Sequence, residues 1–221
     1  MSIAENLRRI QDQLPEGVTL VAVSKTKPVE DIQEAYDAGQ RIFGENRVQE
    51  MCEKQAVLPK DIDWHLIGHL QKNKVKYMAG FVKMIHAVDS FSLLKEINKR
   101  AGQNERIIDC LLQMHIAEES TKFGLNRAEL DEIIVAIQAD QFPHVRIRGF
   151  MGMATFTEDK EQIRQEFEQL ALIHQEVKNN SIPEMDTLSM GMSGDYTIAI
   201  EAGSTMIRVG SSIFGQRNYH Q

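Results

Sequence analysis

Leu20-Val21-Ala22-Val23-Ser24-Lys25 is a short apolar run that ends in a cation. Runs this rich in Val and Ala form strands sealed between helices in parallel sheets. The stretch therefore predicts a buried β-strand with a lysine at its C-terminal lip. An amine held there can lose its proton and attack a carbonyl compound to form a Schiff base. The alternative is a lysine whose head reaches back to water, and the strand alone does not choose between them.

Further β-like runs follow residues 19–24, at 41–44, 63–67, 83–88, 109–116, 145–153, 187–190 and 206–209. The stretches between them carry helical periodicity. Pro28 opens one, with Ile32, Ala35 and Tyr36 on a face and Gly39 at its end. Asn126 and Glu129 are spaced as a capping box ahead of Leu130, Ile133, Ile134 and Ile137. Phe167, Leu170, Ile173 and Val177 mark another apolar stripe. Strands alternating with helices imply a parallel sheet. Eight such units predict an α/β protein built as a single (β/α)8 TIM-type barrel. An open doubly wound sheet is the rival, but no G-x-G-x-x-G follows a strand. A helix near residues 2–14 is expected to precede the first strand and close the bottom of the barrel. Residues 1–221 read as one domain.

The net charge of −7 argues against a general affinity for nucleic acid. The two cysteines, Cys52 and Cys110, have no metal-ligand spacing, which suits a reduced, cytoplasmic protein. The N-terminus lacks the apolar core of a signal peptide, and no apolar run approaches about 18 residues. Neither secretion nor a membrane span is expected.

In such barrels chemistry collects at the C-terminal ends of the strands, and phosphate sites commonly follow strands seven and eight. Ser189-Met190-Gly191-Met192-Ser193-Gly194-Asp195 and Gly210-Ser211-Ser212 occupy those two places. Glycines let backbone amides approach an anion, and a helix N-terminus supplies unpaired N–H groups. Strand eight adds Arg208. Alternation turns Ile207 and Val209 outward and Met206, Arg208 and Gly210 into the barrel. An arginine there needs a ligand or a partner; Glu45 and Asp89 are the internal candidates. Closure places strand eight beside strand one, so Lys25, Arg208 and both small-residue loops share one pocket. A reactive lysine beside a phosphate cradle fits an aldehyde-bearing phosphate ester, and pyridoxal 5′-phosphate is such a compound.

These motifs, together with Phe43-Gly44-Glu45-Asn46-Arg47-Val48-Gln49-Glu50, His65-Leu66-Ile67-Gly68-His69-Leu70-Gln71-Lys72-Asn73-Lys74, Lys122-Phe123-Gly124 and Ile213-Phe214-Gly215, resemble the pyridoxal phosphate homeostasis protein family. That family comprises single-domain relatives of the alanine racemase barrel. The resemblance runs from Val21 to Tyr219. It implies that Lys25 holds the cofactor as an aldimine and that Ser193, Gly210 and Ser211 bind its phosphate. It further implies that Arg208 faces the pyridine nitrogen, that Asn46 lies near the cofactor, and that Lys122 is a second lysine at the pocket mouth.

A guanidinium beside the ring nitrogen disfavours its protonation and leaves the ring a poor electron sink. Racemase and decarboxylase relatives carry a second, β-rich domain, for which few residues remain after Phe214. The expectation is a carrier of pyridoxal phosphate without catalysis of its own. Apo forms of pyridoxal-phosphate enzymes are the expected partners and a monomer the expected state. An amino-acid racemase or lyase using the same lysine is the alternative, and a cofactor-free Schiff-base aldolase acting on a sugar phosphate is a third reading. His65 and His69 are four apart, but Leu66 replaces the Glu of H-E-x-x-H, so no zinc site is expected. His65 is expected to face the cofactor pocket. Met151, Met153, Met190 and Met192 are candidate pocket-lining methionines.

Overall fold

The computed structural model describes residues 2–119 and 123–216. Its strands are β1 (Thr19–Val23), β2 (Ile42–Glu45), β3 (Asp63–Leu66), β4 (Met84–Val88), β5 (Ile108–Gln113), β6 (Val145–Met151), β7 (Thr187–Ser189) and β8 (Met206–Val209). They close in chain order into a barrel whose neighbouring strands are all parallel, β8 returning to β1 with Val21 opposite Arg208. The helices are α1 (Ile3–Gln11), α2 (Val29–Asp37), α3 (Val48–Val57), α4 (Val75–Met78), α5 (Phe91–Gln103), α6 (Arg127–Gln138), α7 (Lys160–Asn180), α8 (Tyr196–Glu201) and α9 (Ser211–Phe214). The fold is the expected TIM-type barrel with an N-terminal helix.

Alternation along the strands sorts the core into two parts. Val21, Met84, Ala87, Leu111, Met151 and Met206 fill the barrel interior. Ala22, Phe43, Trp64, Leu66, Ile207 and Val209 point outward and pack under the helices. Helix ends follow the sequence signals. Pro28 caps α2, and Asn126 and Glu129 form the reciprocal capping box of α6. Helix α7 buries Phe167, Leu170 and Val177.

Two expectations are corrected. Helix α1 does not close the bottom of the barrel. It lies in the outer layer against α2 and α9, with Leu7 and Ile10 buried in the outer core and Asn6 Nδ2 donating to Ile213 O at 3.0 Å. The helix after β8 is a single turn, and α1 fills the space it leaves in the outer ring. Strands β5 and β6 also stop short of 116 and 153. The apolar run continues into the loops above them, where ladder partners end. Among the described residues no helix is long and apolar enough to cross a membrane.

Candidate functional site

A cavity of about 550 Å³ opens at the C-terminal ends of the strands. That is within the range of about 300–1,000 Å³ common for small-molecule sites. Lys25, Asn46, Ser193, Arg208, Gly210 and Ser211 all line it. Six residues spread over the chain therefore meet, because β1, β2, β7 and β8 all deliver their following loops to one mouth.

Lys25 follows β1 in a tight turn in which Ser24 O accepts the Lys27 amide at 3.0 Å. The next residue, Thr26, has φ +63. A β-branched residue is rarely found there, and holding it costs of order 1–3 kcal/mol. The turn is gripped from outside the barrel. Lys54 Nζ on α3 donates to Ser24 O at 2.8 Å, Glu45 Oε1 at 2.7 Å and Glu50 Oε1 at 2.7 Å. Ser24 Oγ donates to Glu45 Oε1 at 2.6 Å, and the Thr26 amide donates to Glu50 Oε1 at 2.6 Å. Burial raises the Glu45 pKa against the lowering influence of Lys54 and Ser24.

Glu45 therefore does not serve Arg208. Alternation in β2 turns Ile42 and Gly44 inward and sends Phe43 and Glu45 outward, toward α3. Arg208 is buried, with Nη1 donating to Ser189 Oγ at 2.6 Å and Nη2 to Gly152 O at 3.1 Å. Desolvation brings its pKa down to about 10, so it is still a cation at neutral pH. Ser189 Oγ also lies 3.1 Å from His86 Nδ1, and His86 Nε2 lies 2.9 Å from His65 Nδ1. An arginine can only donate. Its hydrogen bond leaves the Ser189 hydroxyl proton for His86 Nδ1, so neutral His86 carries its proton on Nε2 and gives it to His65 Nδ1. Burial holds both rings neutral: the His65 pKa falls to about 3 and that of His86 lies well below its ordinary value.

His65 is the predicted site residue that the structure places elsewhere. It faces the barrel interior as alternation demands, but one layer beneath Ile67, the residue of that row that reaches the cavity. It lines an opening at the other end of the barrel with Asp63, Lys83 and Asp109. Of the four methionines, Met153 and Met192 line the cavity, whereas Met151 fills the barrel interior and Met190 the outer core. Lys122 and Tyr219 lie outside the described residues.

Residues to which the sequence assigns no site role complete the rim, His69 and Phe123 from quoted motifs and Gln113 and Phe156 from outside them. His69 Nδ1 pairs with Asp89 Oδ2 at 3.0 Å, and its ring stacks on Phe123 at 4.1 Å between centroids. Buried Gln113 donates to Phe123 O at 2.9 Å. Phe156 stands 95% exposed at the mouth. The H-x-x-x-H spacing drew attention to His69, but only as a metal ligand. The aromatic residues belong to loops without periodicity.

The lining suits a phosphate ester with a reactive carbonyl. Lys25, Lys27 and Arg208 are in it, and among the described residues no carboxylate is. The loops after β7 and β8 touch: Ser193 Oγ accepts the Gly210 amide at 3.3 Å. A Cβ at Gly210 would lie 3.2 Å from both Val23 Cβ and Val23 O, so a side chain there would crowd the wall of the cradle. In the α9 turn the Ile213 and Phe214 amides both donate to Gly210 O at 2.9 Å, which fixes the Gly210–Ser211 bend at the cavity wall.

The family model described as alanine racemase, N-terminal domain, matches residues 1–218. A pyridoxal phosphate homeostasis protein of Vibrio alginolyticus is 40% identical over 233 residues, covering 99% of each chain. Among solved structures, PipY of Synechococcus elongatus is 39% identical and covers 97% of this chain and 100% of its own. It superposes with a TM-score of 0.92 in the form without PLP and 0.88 in the form with PLP bound. An alanine racemase of Clostridium difficile is 14% identical with a TM-score of 0.77, a likeness of fold alone. This chain covers 57% of that one.

Proposed function

The chain belongs to the pyridoxal phosphate homeostasis protein family, and on that premise we propose that it holds pyridoxal 5′-phosphate on Lys25 and passes it on without amino-acid catalysis of its own. The observation that carries this reading is the cavity lining, with two cations, Lys27 and Arg208, and no described carboxylate around the strand-end Lys25. PipY, similar over nearly the whole chain, has a structure with PLP bound, which supports the choice of ligand.

In this reading the neutral Lys25 amine adds its electron pair to the aldehyde carbon. A C=N bond forms, both amine protons leave the nitrogen, and the aldehyde oxygen departs as water. Ser193, Gly210 and Ser211 hold the phosphate, and Asn46 contacts the ligand from the β2 side. Arg208 faces the ring nitrogen. Bound pyridoxal phosphate supplies an electron sink when its ring is protonated, and a guanidinium at the nitrogen opposes that protonation. The names of the relatives, homeostasis proteins, accord with a carrier. Apo forms of pyridoxal-phosphate enzymes are the proposed recipients, a monomer the proposed state and the cytoplasm the proposed compartment.

One observation favours the second reading, a racemase or lyase: the His69–Asp89 pair at the mouth supplies a candidate base. Borohydride reduction of the loaded protein and peptide mapping test the first reading. The expected adduct is on Lys25, and Lys25→Ala should abolish it. An adduct retained in Lys25→Ala, on Lys72 or Lys122, would overturn the assignment.

A further inference from the structure

Resting on that reading of Lys25, we infer that Lys54 is a positioning residue: with Glu45 and Glu50 it clamps both peptide neighbours of Lys25, so that the amine is aimed into the cavity from outside the barrel. Lys54 does not line the cavity, and neither does either carboxylate. The contacts reach the residue before Lys25 through Ser24 O and Oγ, and the residue after it through the Thr26 amide.

Three features separate this cluster from an ordinary structural ion pair. Lys54 and Glu45 are both buried, and Glu45 Oε2 has no hydrogen-bond partner. Buried pairs with an unsatisfied oxygen contribute little to stability against an apolar replacement, so the arrangement is better accounted for by the geometry it fixes. Thr26 sits at φ +63, a backbone conformation that persists only when its surroundings over-determine it. Glu50 Oε1 supplies that constraint and is itself held by Lys54. Finally, besides the Ser24 hydroxyl the cluster grips main-chain atoms on both sides of Lys25, Ser24 O and the Thr26 amide, which is what directing the side chain between them requires.

The test separates aim from binding. Two variants serve: Glu50→Ala, whose side chain is partly exposed, and Glu45→Gln/Lys54→Met, which removes the buried charges together. Each is mixed with pyridoxal 5′-phosphate while the imine absorbance is followed. Each is also titrated with pyridoxine 5′-phosphate, which has the phosphate but no aldehyde. Misplacing a reacting group by about 1 Å can cost on the order of a hundredfold in rate. Adduct formation should slow about tenfold or more, while the Kd for pyridoxine 5′-phosphate stays within about twofold. Lys54→Arg should recover part of the rate. Unchanged adduct rates in both variants would overturn the inference, as would parallel loss of both ligands, which signals collapse of the pocket. Lys25→Ala in the same assay keeps the two ideas apart. If it still forms the adduct, the reading of Lys25 fails and the inference with it. If it does not, the variants decide the inference alone.

Discussion

Ser189 Oγ lies 2.6 Å from Arg208 Nη1, and that one hydroxyl joins the cavity floor to two histidines deep in the barrel. Ser189→Ala takes an acceptor from a buried guanidinium and the donor from His86 Nδ1. Leaving such groups unsatisfied costs about 1–3 kcal/mol, more where a charge is involved. The urea midpoint should fall accordingly with the m-value unchanged. An unaltered midpoint would mean that the chain is not a structural unit.

Ser193 stands where the loops after β7 and β8 meet. Hydrogen bonds to charged groups contribute roughly 1.5–3 kcal/mol each. Ser193→Ala should weaken pyridoxal phosphate on the order of ten- to hundredfold and pyridoxal much less. Equal losses in parallel titrations would place the phosphate elsewhere.

The buried histidines set a pH dependence. Their folded pKa values are lowered by burial, to about 3 for His65, so both rings are neutral in folded and unfolded chains above about pH 6.5. As the pH falls below that, the unfolded chain binds protons that the folded one refuses. Stability should then drop by about 1.4 kcal/mol per pH unit per histidine until the folded pKa is reached. Ring NMR signals of His65 and His86 should not move between pH 7.5 and 5. A ring titrating near 6.5 would refute its neutral burial.

Loaded protein incubated with L- or D-alanine, serine or lysine should give no product beyond that of free pyridoxal phosphate. It should still restore activity to an apo-enzyme. Turnover of about 1 s⁻¹, low for an ordinary enzyme, would establish the racemase or lyase reading and give His69 a role.

The barrel was legible because each strand announces itself by an apolar run and each helix by its caps. Strand β8 coincides with residues 206–209, and Arg208 was placed inside by alternation alone. Alternation reads face but not depth, so it points His65 toward the cavity although the ring lies beneath it. Glu45, one of two candidate partners for Arg208, goes instead to Lys54 for a related reason: a strand-end acid can turn toward a helix, and Lys54 lies nine residues on with no spacing signal. Phe156 and Gln113 give no sequence signal, one lying in a loop and the other ending a buried strand, and Phe123 enters only as part of the Lys122-Phe123-Gly124 motif.

The contrast between a chain of net charge −7 and a cavity lined by cations bears on how quickly the site fills. Within about a Debye length of the surface, about 8 Å at physiological ionic strength, an arriving phosphate ester is repelled by the net negative charge of the chain. At the cavity the basic side chains of Lys25, Lys27 and Arg208 oppose that repulsion. Salt screens the outer repulsion strongly and the sheltered inner attraction much less. Adding salt should therefore speed association, the reverse of the usual behaviour of an anion site on a basic protein.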